Sequence, residues 1–243
     1  MKSFNWLLVL SVLSCFGCSS PVHEDDRGCA FVSDSIQYRV EFMSAGCVRI
    51  LSFPEGDTLV TKRLVVDSQK PAFKDYKWKD TGQQLIFSTR ELSVAFDKED
   101  AAFTFQEVST GKLLLKEKEA KKARHFKRSV AGGEQCLEVT QRFVPTDDEA
   151  IYGLGQYQNG IMNYRGKSVL LLQANMDIVN PFLISTNGYG ILWDNYSSTK
   201  FEDTEEGYSF TSEVGDASDY YFVYGKNMDE VVAGYRELTG DVP

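Results

Sequence analysis

The sequence contains few of the residue types that carry out covalent chemistry. Its only histidines are His23 and His125, which gives little basis for a Ser-His-Asp triad. Carboxylates are abundant, with 35 Asp and Glu residues. A facing pair of them about 5–5.5 Å apart could cleave glycosidic bonds with retention. Spacing along the chain marks no two of them as such a pair, so we assign no catalytic residue from residue types alone.

The cysteines give no metal site either. Beyond the N-terminal segment the sequence has Cys29, Cys47 and Cys136, and no two of these have the Cys-x-x-Cys spacing of zinc ligands. Three thiols allow at most one disulfide, and the sequence leaves open whether it forms. We expect no metal and no cofactor, and a fold that is stabilised by its core rather than by disulfides.

The first residues are typical of an export signal. Lys2 precedes an apolar run from Phe4 to Phe16, which matches the hydrophobic region of a secretory signal and is too short to span a bilayer. Gly17 and Cys18 follow, like a lipoprotein processing site. We predict that residues 1–17 are a signal peptide and that Cys18 is lipidated. The protein would then be exported and membrane-anchored, facing the periplasm or at the outer membrane or cell surface; the alternative is an ordinary cleaved signal with an incidental cysteine.

The charge of the chain argues against nucleic acid as a partner. The formal net charge is −9, so the phosphates of a nucleic acid would be repelled. One stretch, residues 116–128, is rich in Lys and Arg. It also contains Glu117 and Glu119, and Phe126 is its only aromatic residue. We interpret it as a solvated hairpin or an edge strand protected by lysines.

The pattern of apolar residues predicts that β-strands position any site in this protein. Apolar and polar residues alternate in short runs separated by turn residues, which is typical of an antiparallel β-sandwich or barrel. The predicted strands cover residues 36–42, 47–53, 59–66, 84–88, 92–96, 102–106, 137–143, 168–173, 181–185, 190–194 and 220–224. The predicted fold class is therefore all-β.

A single helix is predicted at the C-terminal end. Asn227 is a suitable N-cap and Gly240 follows the last turn. We therefore divide the chain after the signal into a polar, lipid-anchored tether over residues 18–33, a sandwich over 34–226, and a helix with a domain junction over 227–243.

Several sequence blocks together resemble the N-terminal β-sandwich of glycoside hydrolase family 31, the α-glucosidases and α-xylosidases. They are Gln-Arg-Phe at 141–143, Tyr-Gly-Leu-Gly-Gln at 152–156, Asn-Tyr-Arg-Gly at 163–166, Asn-Met-Asp at 175–177, and the block PFLISTNGYGILWDN at 181–195. The resemblance is densest after residue 135 and is closest to α-xylosidase-like members. It implies a galactose-mutarotase-like supersandwich.

In the family that these blocks resemble, two aspartates on a (β/α)₈ barrel perform hydrolysis, and the barrel follows this sandwich. Such a barrel takes about 250 residues and would begin near residue 243. The resemblance therefore implies that both catalytic carboxylates are missing and that the chain is inactive alone. It also implies that Asp177 lies on a loop over the barrel mouth and accepts hydrogen bonds from hydroxyls of an α-linked oligosaccharide.

Two other functions remain open from the sequence. The first is a free-standing carbohydrate-binding lipoprotein, which a row of exposed aromatics on one sheet face would favour. An apolar patch left without a barrel would instead favour the accessory domain, and we expect Tyr235 and Leu238 to contribute to such a patch. The second is an enzyme like the aldose mutarotases, which need a histidine with a carboxylate; only His125 lies in the body of the domain.

Overall fold

The computed structural model describes four parts of the chain, without the side chain of His125: residues 22–57, 64–67, 71–119 and 124–240. Two antiparallel sheets and one helix form within these parts, so the predicted all-β sandwich with a C-terminal helix is confirmed. None of the helical structure described is long and apolar enough to cross a membrane. The predicted signal peptide, residues 1–17, and the predicted lipidation site Cys18 lie outside the described residues.

Sheet A combines the first strands of the domain with strands from its second half. From one edge to the other it consists of β1 (His23–Glu24), β2 (Cys29–Ser33), β3 (Ile36–Phe42), β4 (Cys47–Pro54), β18 (Ser218–Tyr224), β15 (Tyr189–Trp193), β14 (Ile178–Ser185) and β12 (Ile151–Gln156).

Sheet B holds the middle of the chain. In spatial order it consists of β13 (Ser168–Leu171), β16 (Thr199–Thr204), β17 (Gly207–Gly215), β11 (Glu134–Val144), β9 (Leu113–Glu117), β8 (Ala102–Glu107), β7 (Leu92–Asp97), β6 (Gln84–Ser88) and β5 (Lys77–Asp80). One further strand, β10 (Arg124–Ala131), pairs with β11 beside β9.

Alternation of apolar residues builds the core between the sheets. In β7, Leu92, Val94 and Phe96 are buried and the residues between them are only partly covered. Because successive side chains of a strand point to opposite faces, one face of β7 meets sheet A and the other remains near solvent. The main core forms where such faces from the two sheets meet, and stacked pairs such as Phe105 and Phe222, with ring centroids 4.2 Å apart, fill it.

The helix α1 (Met228–Thr239) begins and ends as predicted. Asn227 caps it, because the Asn227 side chain accepts a hydrogen bond from the Glu230 backbone N–H at 2.9 Å. At the other end Gly240 has a φ of 96°, a conformation that glycine adopts without steric cost. Each end of the helix therefore has a capping hydrogen bond: Asn227 binds the Glu230 N–H, and the Gly240 N–H binds the Arg236 carbonyl.

Helix α1 covers the outer face of sheet A. Val231 and Leu238 are buried there, and the ring of Tyr235 stacks on Phe182 with centroids 4.1 Å apart. A Cβ on Gly190 would lie 2.6–2.8 Å from Phe182 and Val231, so glycine is needed where the helix meets the sheet. The expectation that Tyr235 and Leu238 lie on an exposed patch is wrong, because the apolar stripe of the helix is already used against its own sheet.

The sandwich begins earlier than the sequence analysis placed it. Residues 18–33 were interpreted as a tether, yet β1 and β2 lie within that range. Cys29 and Phe31 are buried in the main core. The charged residues just before β2 obscured its short alternating pattern. In the segment predicted as a strand over 59–66, the described residues 64–66 form bends instead.

A buried ion pair joins the two sheets, and it lies inside the basic stretch that was expected to be solvated. Arg124 of β10 pairs with Glu117 of β9, and both side chains are almost completely buried. The second carboxylate oxygen accepts a hydrogen bond from the Tyr220 hydroxyl at 2.8 Å, and Arg124 donates to the Tyr38 hydroxyl at 3.1 Å. Since Tyr38 and Tyr220 belong to sheet A, this pair connects sheet B to sheet A through the core.

The cysteines form no disulfide among the described residues. No disulfide joins Cys29, Cys47 or Cys136 to another described residue, and the first two are buried. Burial raises the pKa of Cys29 to about 11, so this thiol stays protonated at neutral pH. The stability of the described fold therefore comes from its core and its hydrogen bonds.

Candidate functional site

The predicted sugar-binding residue lies where the edges of the two sheets meet. Strand β12 ends sheet A on one side, and β13 ends sheet B. The connection from β13 to β14, residues 172–177, passes from one sheet edge to the other. Asp177 is the last residue of this connection, which we call the 172–177 loop.

Strand β12 carries the Tyr-Gly-Leu-Gly block and has an unusual backbone. Gly153, Leu154 and Gly155 all have positive φ, at 99°, 65° and 118°. A Cβ on Gly155 would lie 2.1 Å from the carbonyl oxygen of Ile178, so only glycine allows this approach. The pairing of β12 with β14 changes register here. The block therefore makes a bulge that brings the edge strand directly against the start of β14, next to Asp177.

The strained residue in this bulge is held by packing and by one hydrogen bond. Leu154 is fully buried, and its carbonyl accepts a hydrogen bond from the Tyr157 hydroxyl at 3.0 Å. The pKa of Tyr157 is raised to about 12, mainly by burial and to a lesser extent by Tyr164 and Asp177. Because Gly155 pairs with Val179 and Gln156 with Ile178, Asp177 directly precedes the part of β14 that the bulge contacts.

The Asn-Tyr-Arg-Gly block forms a turn that ties the loop after β12 to sheet B. The Asn163 side chain accepts hydrogen bonds from the backbone N–H groups of Ile151 and Arg165, each at 3.1 Å. Arg165 donates to the carboxylate of Asp203 on β16 at 2.8 Å, and also to the carbonyl of Glu149 at 3.2 Å. These contacts explain the block as structural support for the edge and not as ligand contacts.

A buried carboxylate braces the same edge from inside. Glu149 accepts hydrogen bonds from the hydroxyls of Tyr189 and Ser185, each at 2.9 Å. The Tyr189 hydroxyl also lies 3.2 Å from that of Tyr208 on sheet B. Burial raises the pKa of Glu149 above its ordinary value, although the two hydroxyl donors oppose the rise. The sequence analysis quoted no role for Glu149, since its partners are 36 and 40 residues away.

The 172–177 loop is closed by one side chain, that of Gln173. Its Nε2 donates to the Asp177 carbonyl at 2.9 Å, and its Oε1 accepts from the Val179 N–H at 3.1 Å. A backbone bridge joins Ala174 and Asp177 within the loop. The Asp177 carboxylate itself makes no hydrogen bond to any described residue, so its acceptor capacity remains available. Nothing in this geometry tests the predicted sugar contact; it shows a half-buried carboxylate on a closed loop.

Large apolar side chains flank Asp177 and remain in contact with solvent. Along the segment from β13 to β14 these are Leu170, Leu172, Met176 and Ile178, whose exposed fractions run from 48% for Leu172 to 66% for Met176. We call these four residues the apolar rim. Single exposed apolar residues are common, whereas clusters of them are typical of surfaces that contact another molecule. These four lie within nine positions of the sequence that include Asp177.

The other buried carboxylates of the domain are used in structural pairs. Glu41 and Asp219 accept hydrogen bonds from Arg49, and Glu117 pairs with Arg124. Across the parts of the chain described, no group of three or more His, Cys, Asp and Glu side chains is arranged to hold a metal ion. Asp177 differs from these carboxylates, because it is only partly buried and its carboxylate makes no hydrogen bond to a described residue.

Two antiparallel sheets packed face to face, with a helix on the outer face of one, define a galactose mutarotase-like sandwich domain. Residues 37–202 match the family profile described as the glycosyl hydrolase 31 N-terminal galactose mutarotase-like domain. Because the match covers more than half of the chain, the protein belongs to this family, and the resemblance drawn from the sequence blocks is confirmed.

Curated relatives include larger enzymes. The chain is 34% identical over 224 residues to an alpha-xylosidase of Saccharolobus solfataricus, a match that covers 86% of this chain and 29% of the relative. It is 26% identical over 233 residues to alpha-glucosidase 2 of Bacillus thermoamyloliquefaciens, covering 88% of this chain and 28% of the relative. The chain thus spans less than a third of the length of these relatives.

Solved structures show the same fold. A GH31 alpha-xylosidase from Xanthomonas citri superimposes with a TM-score of 0.81 at 21% identity, covering 91% of this chain and 40% of that one. A GH31 alpha-xylosidase from a soil metagenome, complexed with xylose, gives 0.79 at 23% identity, covering 92% and 35%. At these identities the comparison establishes the sandwich fold.

Proposed function

We propose that this domain is the N-terminal accessory sandwich of an α-glycosidase of the α-xylosidase or α-glucosidase type, and that it packs on a (β/α)₈ barrel and completes the barrel's sugar site. The observation that carries the proposal is the position of Asp177. Its carboxylate lies on a loop that Gln173 closes, beside the bulge of the family's Tyr-Gly-Leu-Gly block, with the apolar rim around it.

The lengths of the relatives support separate roles for the sandwich and the barrel. Their names describe whole enzymes, and the domain matches 28–29% of the length of these enzymes. In the family the two catalytic aspartates lie on the barrel. We therefore assign bond cleavage to a barrel outside these 243 residues and give the sandwich a role in binding and positioning the α-linked oligosaccharide.

The apolar rim supports packing on a partner surface. Four large side chains with exposed fractions from 48% to 66% lie within nine residues. Removing apolar surface from water contributes about 25 cal/mol per Å² of buried area. Burying the rim against the barrel would therefore stabilise the association and would hold Asp177 at the edge of the contact, where a sugar hydroxyl can reach its carboxylate.

The alternative of a free-standing carbohydrate-binding lipoprotein lacks the surface that would favour it. A row of exposed aromatics was its expected signature, and among the described residues Tyr196 is the single aromatic with a largely exposed side chain. The mutarotase-like alternative would require His125 together with a carboxylate; His125 lies on β10, which pairs with β11 in sheet B.

We further propose that the protein is exported and held on a membrane through Cys18. The support is the N-terminal pattern of an apolar run followed by Gly17 and Cys18. Mass spectrometry of the protein purified from membranes tests this. A mature N-terminus at an acylated Cys18, lost together with membrane retention in Cys18→Ala, would support the anchor; an unmodified Cys18 in the membrane fraction would contradict it.

The test of the main proposal is hydrolysis of aryl α-xyloside and aryl α-glucoside by the 243-residue chain and by a polypeptide extended through the reading frame after residue 243. We expect turnover only from the longer polypeptide. In that polypeptide Asp177→Asn should lower kcat/KM roughly 10- to 100-fold, the loss expected for a hydrogen bond to a charged group.

The matched control is Asp216→Asn, since Asp216 is an exposed aspartate in the turn between β17 and β18. It should leave kcat/KM unchanged. Turnover by the 243-residue chain would refute the assignment of cleavage to a barrel. Equal activity of Asp177→Asn and Asp216→Asn would refute the role of Asp177 while leaving the accessory role of the domain in place.

A further inference from the structure

A second cleft lies on sheet A, toward the end of the sheet opposite to the edge that carries Asp177. It is an open cleft of about 390 Å³ on the outer face of β2, β3 and β4, beyond the area that helix α1 covers. The β1–β2 turn forms one wall. Small-molecule sites take up about 300–1,000 Å³, so the cleft can hold a single sugar unit. In sheet A, β18 and β15 separate these strands from the β14–β12 edge that carries Asp177.

The floor of the cleft is a charged network held by a buried arginine. Arg49 is 1% exposed, and all three of its guanidinium nitrogens are used. Nε and Nη2 donate to the carboxylate of Asp219, and Nη1 donates to Glu41 at 3.0 Å. A buried charge is stable only with such partners, so Arg49 holds Glu41 in one orientation.

Arg39 completes the network and faces the opening of the cleft. Its Nε donates to the second oxygen of Glu41 at 2.7 Å, and its Nη2 contacts both carboxylate oxygens of Asp25. Its Nη1 makes no hydrogen bond with the described part of the protein, and the side chain is 20% exposed. Two N–H donors of a rigidly held guanidinium are therefore left for a ligand.

Charge and surface chemistry in the cleft favour a neutral ligand. Asp25 and Glu41 line the cleft together with Arg27, Arg39 and Arg49, and Asp219, which pairs with Arg49, adds a third carboxylate to the network. The hydrogen bond from Arg39 holds the pKa of Asp25 well below its usual range, so the balance persists at neutral pH. An anion gains no net attraction from such a set. Hydroxyl groups can both accept from guanidinium N–H groups and donate to carboxylate oxygens.

The cleft also offers an apolar surface beside the charges. Phe53 lies on β4 opposite Gln37 of β3, and both line the cleft and are only partly buried. An aromatic ring next to planar polar groups matches a sugar ring, which has C–H faces and a rim of hydroxyls.

We propose that this cleft is a sugar-binding subsite in which Arg39, held by Glu41 and Asp25, donates hydrogen bonds to hydroxyls of a neutral saccharide unit that lies against Phe53. The subsite does not depend on a barrel, because each of its residues belongs to the described sandwich. It would hold a second part of a long saccharide, or a separate one, away from the Asp177 edge.

The test is to titrate the isotope-labelled 243-residue chain with methyl α-xyloside. Binding is monitored by the NMR chemical shifts of the backbone amides and of the arginine side chains. We expect saturable shifts at Arg39 and Phe53. Arg39→Lys keeps the charge but loses Nη1 and the fork geometry, and it should raise Kd about tenfold, which corresponds to about 1.4 kcal/mol.

Arg90→Lys is the matched control, since Arg90 is an exposed arginine in the turn between β6 and β7; it should leave Kd unchanged. Circular dichroism and Tm show whether Arg39→Lys keeps its fold, and Phe53→Leu provides a second variant if it does not. Absence of saturable shifts, shifts confined to residues 172–177, or displacement of the sugar by sodium sulfate would each overturn the proposal, the last because it would indicate an anion site.

Discussion

The side-chain amide of Gln173 closes the loop that carries Asp177, since its Nε2 donates to the Asp177 carbonyl at 2.9 Å. Its Oε1 at the same time accepts a hydrogen bond from the N–H of Val179, the second residue of β14. One planar group near the start of the loop thereby binds two backbone positions at its end. The backbone of Asp177 is therefore held by a residue that does not belong to the sequence block that identified Asp177.

Replacing Gln173 by Ala removes both hydrogen bonds. We expect a loss of about 1 kcal/mol in the free energy of unfolding, and faster hydrogen exchange at the Val179 amide. Urea unfolding and amide exchange measured by NMR check this. Gln83→Ala is the control, because the exposed Gln83 side chain makes no hydrogen bond to a described residue. Unchanged exchange at Val179 in Gln173→Ala would show that the backbone alone holds the loop.

Gly155→Ala should be among the most damaging small substitutions at this edge. The new Cβ would lie 2.1 Å from the Ile178 carbonyl oxygen, and the backbone φ of 118° is itself unfavourable for alanine. Gly82→Ala is the control, with a φ of 88° and nothing within 4 Å of the added Cβ. We expect the Gly155 variant to lose roughly 1–3 kcal/mol more than the Gly82 variant, measured by urea unfolding. Equal losses would mean that β14 moves away without cost.

The pKa of Tyr157 reports on the distance to Asp177. Burial is the first cause of its rise to about 12, and the charges of Tyr164 and Asp177 add to it. In Asp177→Asn the pKa should fall toward the ordinary value of about 10 without reaching it. Titration of the tyrosine ring carbons by NMR measures the shift. An unchanged Tyr157 pKa in this variant would mean that Asp177 lies further from the bulge than the structure shows.

The same group makes stability depend on alkaline pH. The folded-state pKa of Tyr157 is raised to about 12, so its contribution to stability is fully present below the unfolded value of about 10 and is lost as pH rises through 12. The free energy of unfolding of the native protein, relative to Tyr157→Phe, should therefore fall between these pH values. A difference that stays constant over that range would contradict the raised pKa.

Glu117→Gln tests the ion pair in the core. It leaves the buried Arg124 guanidinium without its charge partner, and we expect a loss of about 3–5 kcal/mol in the free energy of unfolding. Glu206→Gln is the control, since Glu206 pairs with Lys118 at the surface and should cost about 0–1 kcal/mol. Similar losses in the two variants would show that water reaches the Glu117–Arg124 pair.

Local sequence patterns predicted much of the fold because they depend on near neighbours. Alternation of apolar residues is enough to identify strands such as β3 and β7, and capping by Asn227 and Gly240 places the helix ends. The strand over 59–66 was wrong at residues 64–66, where apolar side chains lie in bends. Of these side chains Leu64 and Val65 are exposed and Val66 is buried, and none of the three residues pairs with a neighbouring strand.

The candidate site was only partly accessible from the sequence. The family blocks pointed to Asp177, but Gln173 and Glu149 act through partners that the fold brings together. The same holds for Arg124, which the composition of its surroundings assigned to solvent and the structure places in the core. No pattern within a strand indicates which charged residue meets its partner on another strand.

The sequence by itself determined the fold class and the family, since periodicity, caps and glycine-containing blocks are written into consecutive residues. Only the tertiary structure decided that β2 belongs to the core, that helix α1 covers sheet A, and that the apolar rim remains exposed around Asp177. The physical reason is that burial and ion pairing depend on which surfaces meet when two sheets stack, and those surfaces come from residues far apart along the chain.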